Sequence, residues 1–122
     1  MIRQAKTSDL KTILNLLNSD ANLTSHDSLK YKREYVLEYI KGKSFKTFIY
    51  EKNEKILGLI IAEFFNIAKY VYVDDLIVSK SYRKMGIGTK LRSYLENYAR
   101  KNNYHLLYAY AEEHNKKIHN FL

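Results

Sequence analysis

The sequence predicts an α/β domain in which an antiparallel hairpin stands beside a strand–helix–strand crossover. Three observations predict it. Two strand-like runs, Lys46 to Glu51 and the apolar Ile56 to Phe65, flank the polar turn Lys52-Asn53-Glu54-Lys55. A further apolar run, Tyr70 to Val78, leads through a basic, glycine-containing loop into Leu91, Tyr94, Leu95 and Tyr98, which recur at helical spacing. Another strand-like run, Tyr104 to Ala111, follows that helix, as a crossover requires.

Each element has its own warrant. Ile2-Arg3-Gln4-Ala5 reads as a short first strand. Thr7, Ser8 and Asp9 are helix-starting residues, and Leu10, Ile13, Leu14 and Leu17 then share one face of a first helix that ends near Asn18. Ser19 to Asp27 is polar and without period, hence a loop. A second helix is expected from Asp27 or Ser28, with Leu29, Val36, Leu37 and Ile40 inward and Gly42 as a left-handed cap. Gly58 interrupts the long third strand and marks a bulge or a close backbone approach. The third helix is expected from Gly88 to Lys101, its inner face formed by Ile87, Leu91, Tyr94, Leu95 and Tyr98. Glu112 to Leu122 reads as a last helix, with Ile118, Phe121 and Leu122 apolar. The order is β-α-α-β-β-β-α-β-α, without repeats, and residues 1–122 are read as a single domain.

Composition narrows the function classes. Hydrophobic residues make up 46% and charged residues 28%, a globular balance. With no cysteine there is no disulfide, thiolate nucleophile or zinc–thiolate site. No signal-type or membrane-spanning apolar run is present, so the default expectation is a soluble, cytoplasmic protein without a membrane partner. The 21 Lys plus Arg against 13 Asp plus Glu favour anionic partners. The lysines are spread rather than gathered, so nucleic acid is disfavoured and a solvated basic surface is preferred. His114 and His119 are five apart rather than i, i+4, so no metal site is expected.

The loop Arg83-Lys84-Met85-Gly86-Ile87-Gly88-Thr89 holds two of the four glycines. Strand before, basic residues within and amphipathic helix after describe an anion cradle, in which helix-start N–H groups and the dipole face a phosphate. A basic turn that glycines merely permit is the plainer alternative. The P-loop string is absent, and Leu91 stands where a G-x-G-x-x-G fingerprint needs its last glycine.

Arg-x-x-Gly-x-Gly after a strand ending Leu-x-Val resembles the acyl-coenzyme A loop of the GCN5-related N-acetyltransferases; the matching residues are Arg83, Gly86 and Gly88, and Asp75 to Arg83 fits the run into the loop. The resemblance implies a single mixed, mostly antiparallel sheet flanked by helices, of the acyl-CoA N-acyltransferase-like kind. It covers nearly the whole chain, with specific motifs only at residues 75–90. It also implies acetyl-CoA as co-substrate, with Leu76, Ile77 and Val78 running beside the pantetheine and residues Arg83, Lys84, Met85, Gly86, Ile87, Gly88, Thr89 and Lys90 around the diphosphate.

The resemblance departs near the end of the chain. Asn115 and Phe121 match the family's N-x-x-A-x-x-F-Y helix, and Asn115 joins the expected coenzyme contacts, but Leu122 stands at the tyrosine that often protonates the leaving thiolate. Two strands that usually follow are not in the sequence, so the fold is read as C-terminally shortened. A fragment, a naturally short protein and a partner chain supplying the wall remain three open explanations. A fifth strand left as an edge would invite another strand, so a homodimer through Tyr104 to Ala111, or another cover there, is expected.

Acetyl transfer to an amine needs a polarised carbonyl, a base and a route for the thiolate. A strand-four N–H near Ile77 is the expected oxyanion donor. Asp74 and Asp75 are the candidate bases, since two acids in an apolar strand are costly to bury idly; a turn cap or an ion pair with Lys84 or Arg83 is the equal alternative. Adjacent strand residues face opposite sides unless a bulge intervenes. Glu63, Glu112 and Glu113 are weaker candidates, and Tyr108 or Tyr110 could stand in for the absent acid. The reading is therefore an acetyl-CoA-dependent N-acetyltransferase, impaired if the missing segment matters, acting directly on a small-molecule or peptide amine. A CoA-binding module without turnover and a basic nucleic-acid-binding domain are the alternatives.

Overall fold

Asn53 and Glu54 take left-handed φ angles of 52° and 64°, and this two-residue turn folds strand β2 (Phe45–Lys52) back on β3 (Lys55–Phe65). The computed structural model describes residues 1–19, 31–110 and 116–120. The other strands are β1 (Ile2–Gln4), β4 (Tyr70–Val78), β5 (Leu106–Tyr110) and β6 (Lys116–Asn120). They form one sheet in chain order, with β4 and β5 parallel and every other neighbouring pair antiparallel. The helices are α1 (Leu10–Asn18), α2 (Arg33–Lys41) and α3 (Ile87–Lys101).

Two apolar layers hold the sheet. On one face Phe48, Ile60, Ala62, Phe64, Val71 and Val73 pack beneath Leu91, Leu95 and Ala99 of α3. On the other, Ile49, Leu59, Ile61 and Ile77 pack beneath Leu10, Ile13 and Leu17 of α1 and Val36 and Ile40 of α2. Burying both faces explains why β3 reads as a continuous apolar run rather than an alternation. Tyr94, expected inside, is 38% exposed and rests edge-on against Phe48 at 5.1 Å.

At Gly58 the side chains of α3 press directly on the sheet backbone. A Cβ there would lie 3.0 Å from the Ile77 carbonyl oxygen, 3.1 Å from Ile87 Cγ2 and 3.3 Å from Leu91 Cδ1. The register also slips beside it, between Tyr50 and Glu51, so bulge and close approach are both present. Gly58→Val is expected to lower stability by roughly 1–3 kcal/mol, because a carbonyl oxygen and two core side chains must give way. A urea midpoint that falls at unchanged slope would show it; an unchanged midpoint would mean that α3 yields freely.

The β3–β4 ladder steps from Ile61↔Asp75 to Ala62↔Val73 and leaves Asp74 unopposed. This bulge reverses the facing of the strand. Val71 and Val73 lie in the α3 layer, whereas Ile77 lies in the α1–α2 layer. β4 pairs with β5 only from Tyr70 to Val73, so the two strands part at the bulge.

Four expectations are corrected. The last helix is not formed at residues 116–120, which are a strand antiparallel to β5. Ile118, Phe121 and Leu122 satisfy a helical period, but a segment this short is decided by the unpaired edge it meets. That strand also covers β5, so the β5 edge is not open for a second copy, and the expected homodimer through it is withdrawn. The second helix begins at Arg33 rather than near Asp27, and Tyr31 and Lys32 before it are not helical. Gly42 is extended (φ −65°, ψ 152°), not left-handed; glycine is called for there because a Cβ would stand 2.5 Å from the Glu38 carbonyl oxygen.

At the first helix turn Arg3 donates to both Asp9 oxygens, at 2.9 and 3.0 Å, and to both Glu51 oxygens, at 3.1 and 3.2 Å. The Arg3 bonds, against burial and aided by the Lys6 N–H, hold the Asp9 carboxyl below its ordinary range. A depressed carboxyl stabilises the fold above its unfolded value near pH 4, and that contribution is lost as pH falls through the folded value. Screened by solvent, it is on the order of 1 kcal/mol. Asp9→Asn should therefore be less stable than the parent at pH 7, with the gap narrowing as pH falls below about 4, by urea denaturation across that range.

Candidate active site

The loop after β4 makes one 3₁₀ turn at Lys80–Tyr82 and then reverses through two left-handed residues, Lys84 (φ 64°) and Gly86 (φ 82°). Gly86 has open space around its Cβ position, so its backbone conformation, not crowding, calls for glycine. α3 starts at the next residue. No side chain among the described residues caps it, and its first turn closes with the Lys90 N–H donating to the Gly86 carbonyl at 3.0 Å. The N–H groups of Ile87, Gly88 and Thr89 precede that bond and point out of the helix start.

They open onto a cleft of about 370 Å³ between the loop, the start of α3, and Leu76 and Val78 at the end of β4. A Cβ on Gly88 would lie 3.8 Å from Val78 Cγ2 and 3.9 Å from Leu76 Cδ2, so this glycine keeps the cleft floor open rather than relieving a clash. The bulge turns Leu76 and Val78 toward α3 and so supplies the second wall. Arg83 Nε donates to the Val78 carbonyl at 3.0 Å, which fastens the loop to the strand end.

Of the residues picked out from sequence, Leu76, Val78, Arg83, Lys84, Gly86, Ile87, Gly88 and Thr89 line this cleft. Ile77 is 4% exposed in the opposite layer, so only its main chain faces the parting of the strands. Met85 is 63% exposed and outside the lining, and Lys90 Nζ lies 5.8 Å over the Tyr50 ring. Asn115 lies outside the described residues. Tyr82 lines the cleft and escaped the sequence reading; its place three residues after Ser79, inside the same loop, was the available signal.

Asp74 is the bulge residue and Asp75 follows it. Asp75 accepts a 2.7 Å hydrogen bond from the Tyr31 hydroxyl on the α1–α2 face. Burial pushes the Tyr31 phenol far above its ordinary value, and the bond to Asp75 adds to this. Burial, followed by the charges of Asp74 and Asp75, pushes Tyr39 up to about 12. Both carboxylates thus act on the α2 side, which the bulge permits and strict alternation would forbid. Tyr31 had no sequence signal, since it belongs to no periodic run. Among the described residues no three His, Cys, Asp or Glu side chains gather as a metal site, and no helix is long and apolar enough to cross a membrane.

The sheet order, the bulge and the parting of β4 from β5 define an acyl-CoA N-acyltransferase-like fold. The sequence profile of the Acetyltransferase (GNAT) family matches residues 10–122, and the chain belongs to that family. No curated protein sequence matches it. The ribosomal-protein-S18-alanine N-acetyltransferase of Escherichia coli is similar in structure, with TM-score 0.74 and 16% identity over 89% of this chain and 64% of that one. Tetrahymena GCN5 is similar at TM-score 0.69 and 20% identity, over 87% of this chain and 62% of its own. An aminoglycoside acetyltransferase from an uncultured soil metagenomic sample, solved in complex with sisomicin, gives TM-score 0.72 and 17% identity, over 93% of this chain and 78% of its own. The chain thus spans less than two thirds of the length of the first two.

Proposed function

We propose that the chain binds acetyl-CoA at the start of α3 and transfers its acetyl group directly to a primary amine. The uncapped helix start opening onto the cleft between Gly88, Leu76 and Val78 carries this reading. The cleft fits the coenzyme by its chemistry: main-chain N–H groups and the helix dipole suit a diphosphate, and Leu76 and Val78 suit a pantetheine arm. When bound, acetyl-CoA supplies an acetyl group already activated as a thioester.

The chain's own residues do the rest. Ile87, Gly88 and Thr89 present their N–H groups to the diphosphate, with Lys84 adding charge at the cleft wall. Beyond Val73, β4 offers main-chain groups near Ile77 for the pantetheine amides and the acetyl oxygen. Asp75, with Asp74 beside it, draws the acceptor ammonium to the parting of the strands and takes its proton. No cysteine stands in the chain, so the amine attacks without a prior acyl-thiol step on the protein.

Calorimetry with acetyl-CoA, followed by thiol release with a panel of spermidine, an alanine-ended peptide and sisomicin, tests the reading. Heat of binding and thiol release with an amine are expected. Binding without release would favour a coenzyme-holding module, and the absence of both binding and release would overturn the proposal.

A further inference from the structure

We propose that Tyr31 is a positioning residue for the Asp75 carboxylate, and that the Asn18 amide sets Tyr31 for this task. The inference rests on the reading that Asp75 serves the amine. Tyr31 is 5% exposed and packs edge-on to Tyr39 at 6.4 Å. Its hydroxyl donates to Asp75 Oδ2 at 2.7 Å, across 44 residues of sequence.

Its main chain is held as firmly as its side chain. The Tyr31 N–H donates to Asn18 Oδ1 at 2.9 Å, and Asn18 Nδ2 donates to the Tyr31 carbonyl at 3.0 Å. One side-chain amide therefore answers both main-chain groups of a residue that lies outside any helix or strand. Asn18 is the last residue of α1 and Tyr31 stands two residues before α2, so both helices aim this hydroxyl at β4. A phenylalanine would fill the same apolar space; the hydroxyl is spent on a carboxylate beside the bulge.

The setting makes such a donor useful. The groups acting on the Tyr31 phenol are Asp75, Tyr39 and Asp74, and those acting on Tyr39 are Asp74 and Asp75 of β4, Tyr35 of α2 and Glu63 of β3. Negative neighbours disfavour an ionised carboxylate, and a donated hydrogen bond favours it. Burial keeps the Tyr31 proton in place, so the donor is present at every working pH. Tyr31 thereby favours the Asp75 carboxylate and fixes its orientation.

The test compares the parent, Tyr31→Phe and Asn18→Ala, each checked for an intact melt. The Asp75 carboxyl is followed by carbon NMR across pH, and kcat/KM for whichever amine of the panel turns over is followed across the same range. Tyr31→Phe should move the carboxyl titration up by about one pH unit and carry the acid limb of kcat/KM with it. Asn18→Ala should move both in the same direction by less, and acetyl-CoA affinity should be unchanged in both. A carboxyl titration that does not move overturns the proposal, as does a rate profile that stays put while the carboxyl moves. Should the parent turn over no amine, the transferase reading fails, and the carboxyl titration alone then decides whether Tyr31 governs Asp75.

Discussion

Gly88→Leu is expected to fold as the parent does and to lose acetyl-CoA binding by roughly 10²–10⁴-fold, the loss of about two charge-assisted hydrogen bonds. The position is within α3 and carries ordinary helical backbone, so leucine is acceptable to the helix. Its Cβ meets Val78 and Leu76 at van der Waals distance, and the rest of the side chain then extends into the cleft. The substitution blocks the approach to three main-chain donors without removing a charge or straining the loop. Gly86 is a poorer probe, since its φ of 82° means that a side chain would disturb the loop itself. Calorimetry beside a thermal melt checks the result. Unchanged affinity would place the diphosphate elsewhere.

Asp75→Asn is expected to cut kcat/KM for the amine by about 10²–10⁴-fold, the usual contribution of a general base. Acetyl-CoA binding should be untouched, because Asp75 lies on the sheet face away from the Gly88 cleft. The deficit should shrink as pH rises toward the amine's own pKa, where the acceptor arrives already deprotonated. Asp74→Asn, at the unopposed position of the bulge, should cost less if Asp75 is the base. A larger loss in Asp74→Asn would exchange the two roles.

Local chemistry carried much of the fold into view. Tyr70 to Val78 was bounded correctly because turn residues flank a long apolar run, and the β2–β3 hairpin because Asn53 and Glu54 accept the turn that two strands need. The loop was legible for the same reason: Gly86 takes a conformation other residues avoid. What escaped depends on partners far along the chain. The bulge at Asp74 exists only in the pairing with β3, so which acid faces where could not be read from β4 alone. Arg83 lines the cleft, and its Nε also reaches the Val78 carbonyl because the loop closes back on its own strand, a bond that its charge does not announce. Residues 116–120 became a strand because β5 offered an edge, a fact that five residues cannot encode. Tyr31 was invisible because its value lies in a bond to Asp75, formed only when α1, α2 and β4 assemble.

The unopposed residue of β4 makes the length of that strand a heritable constraint of its own. Loss of the single codon for Asp74 would make Val73 and Asp75 neighbours opposite Ala62 and Ile61, closing the ladder with every facing kept and the bulge erased. Ile77 would stay in the α1–α2 layer and Leu76 and Val78 beside the helix start, but β4 would lose the kink at which it leaves β5. A length change beyond Asp75 would instead turn the strand end over, so the facing there is guarded by residue count and the parting of the strands by the one extra residue.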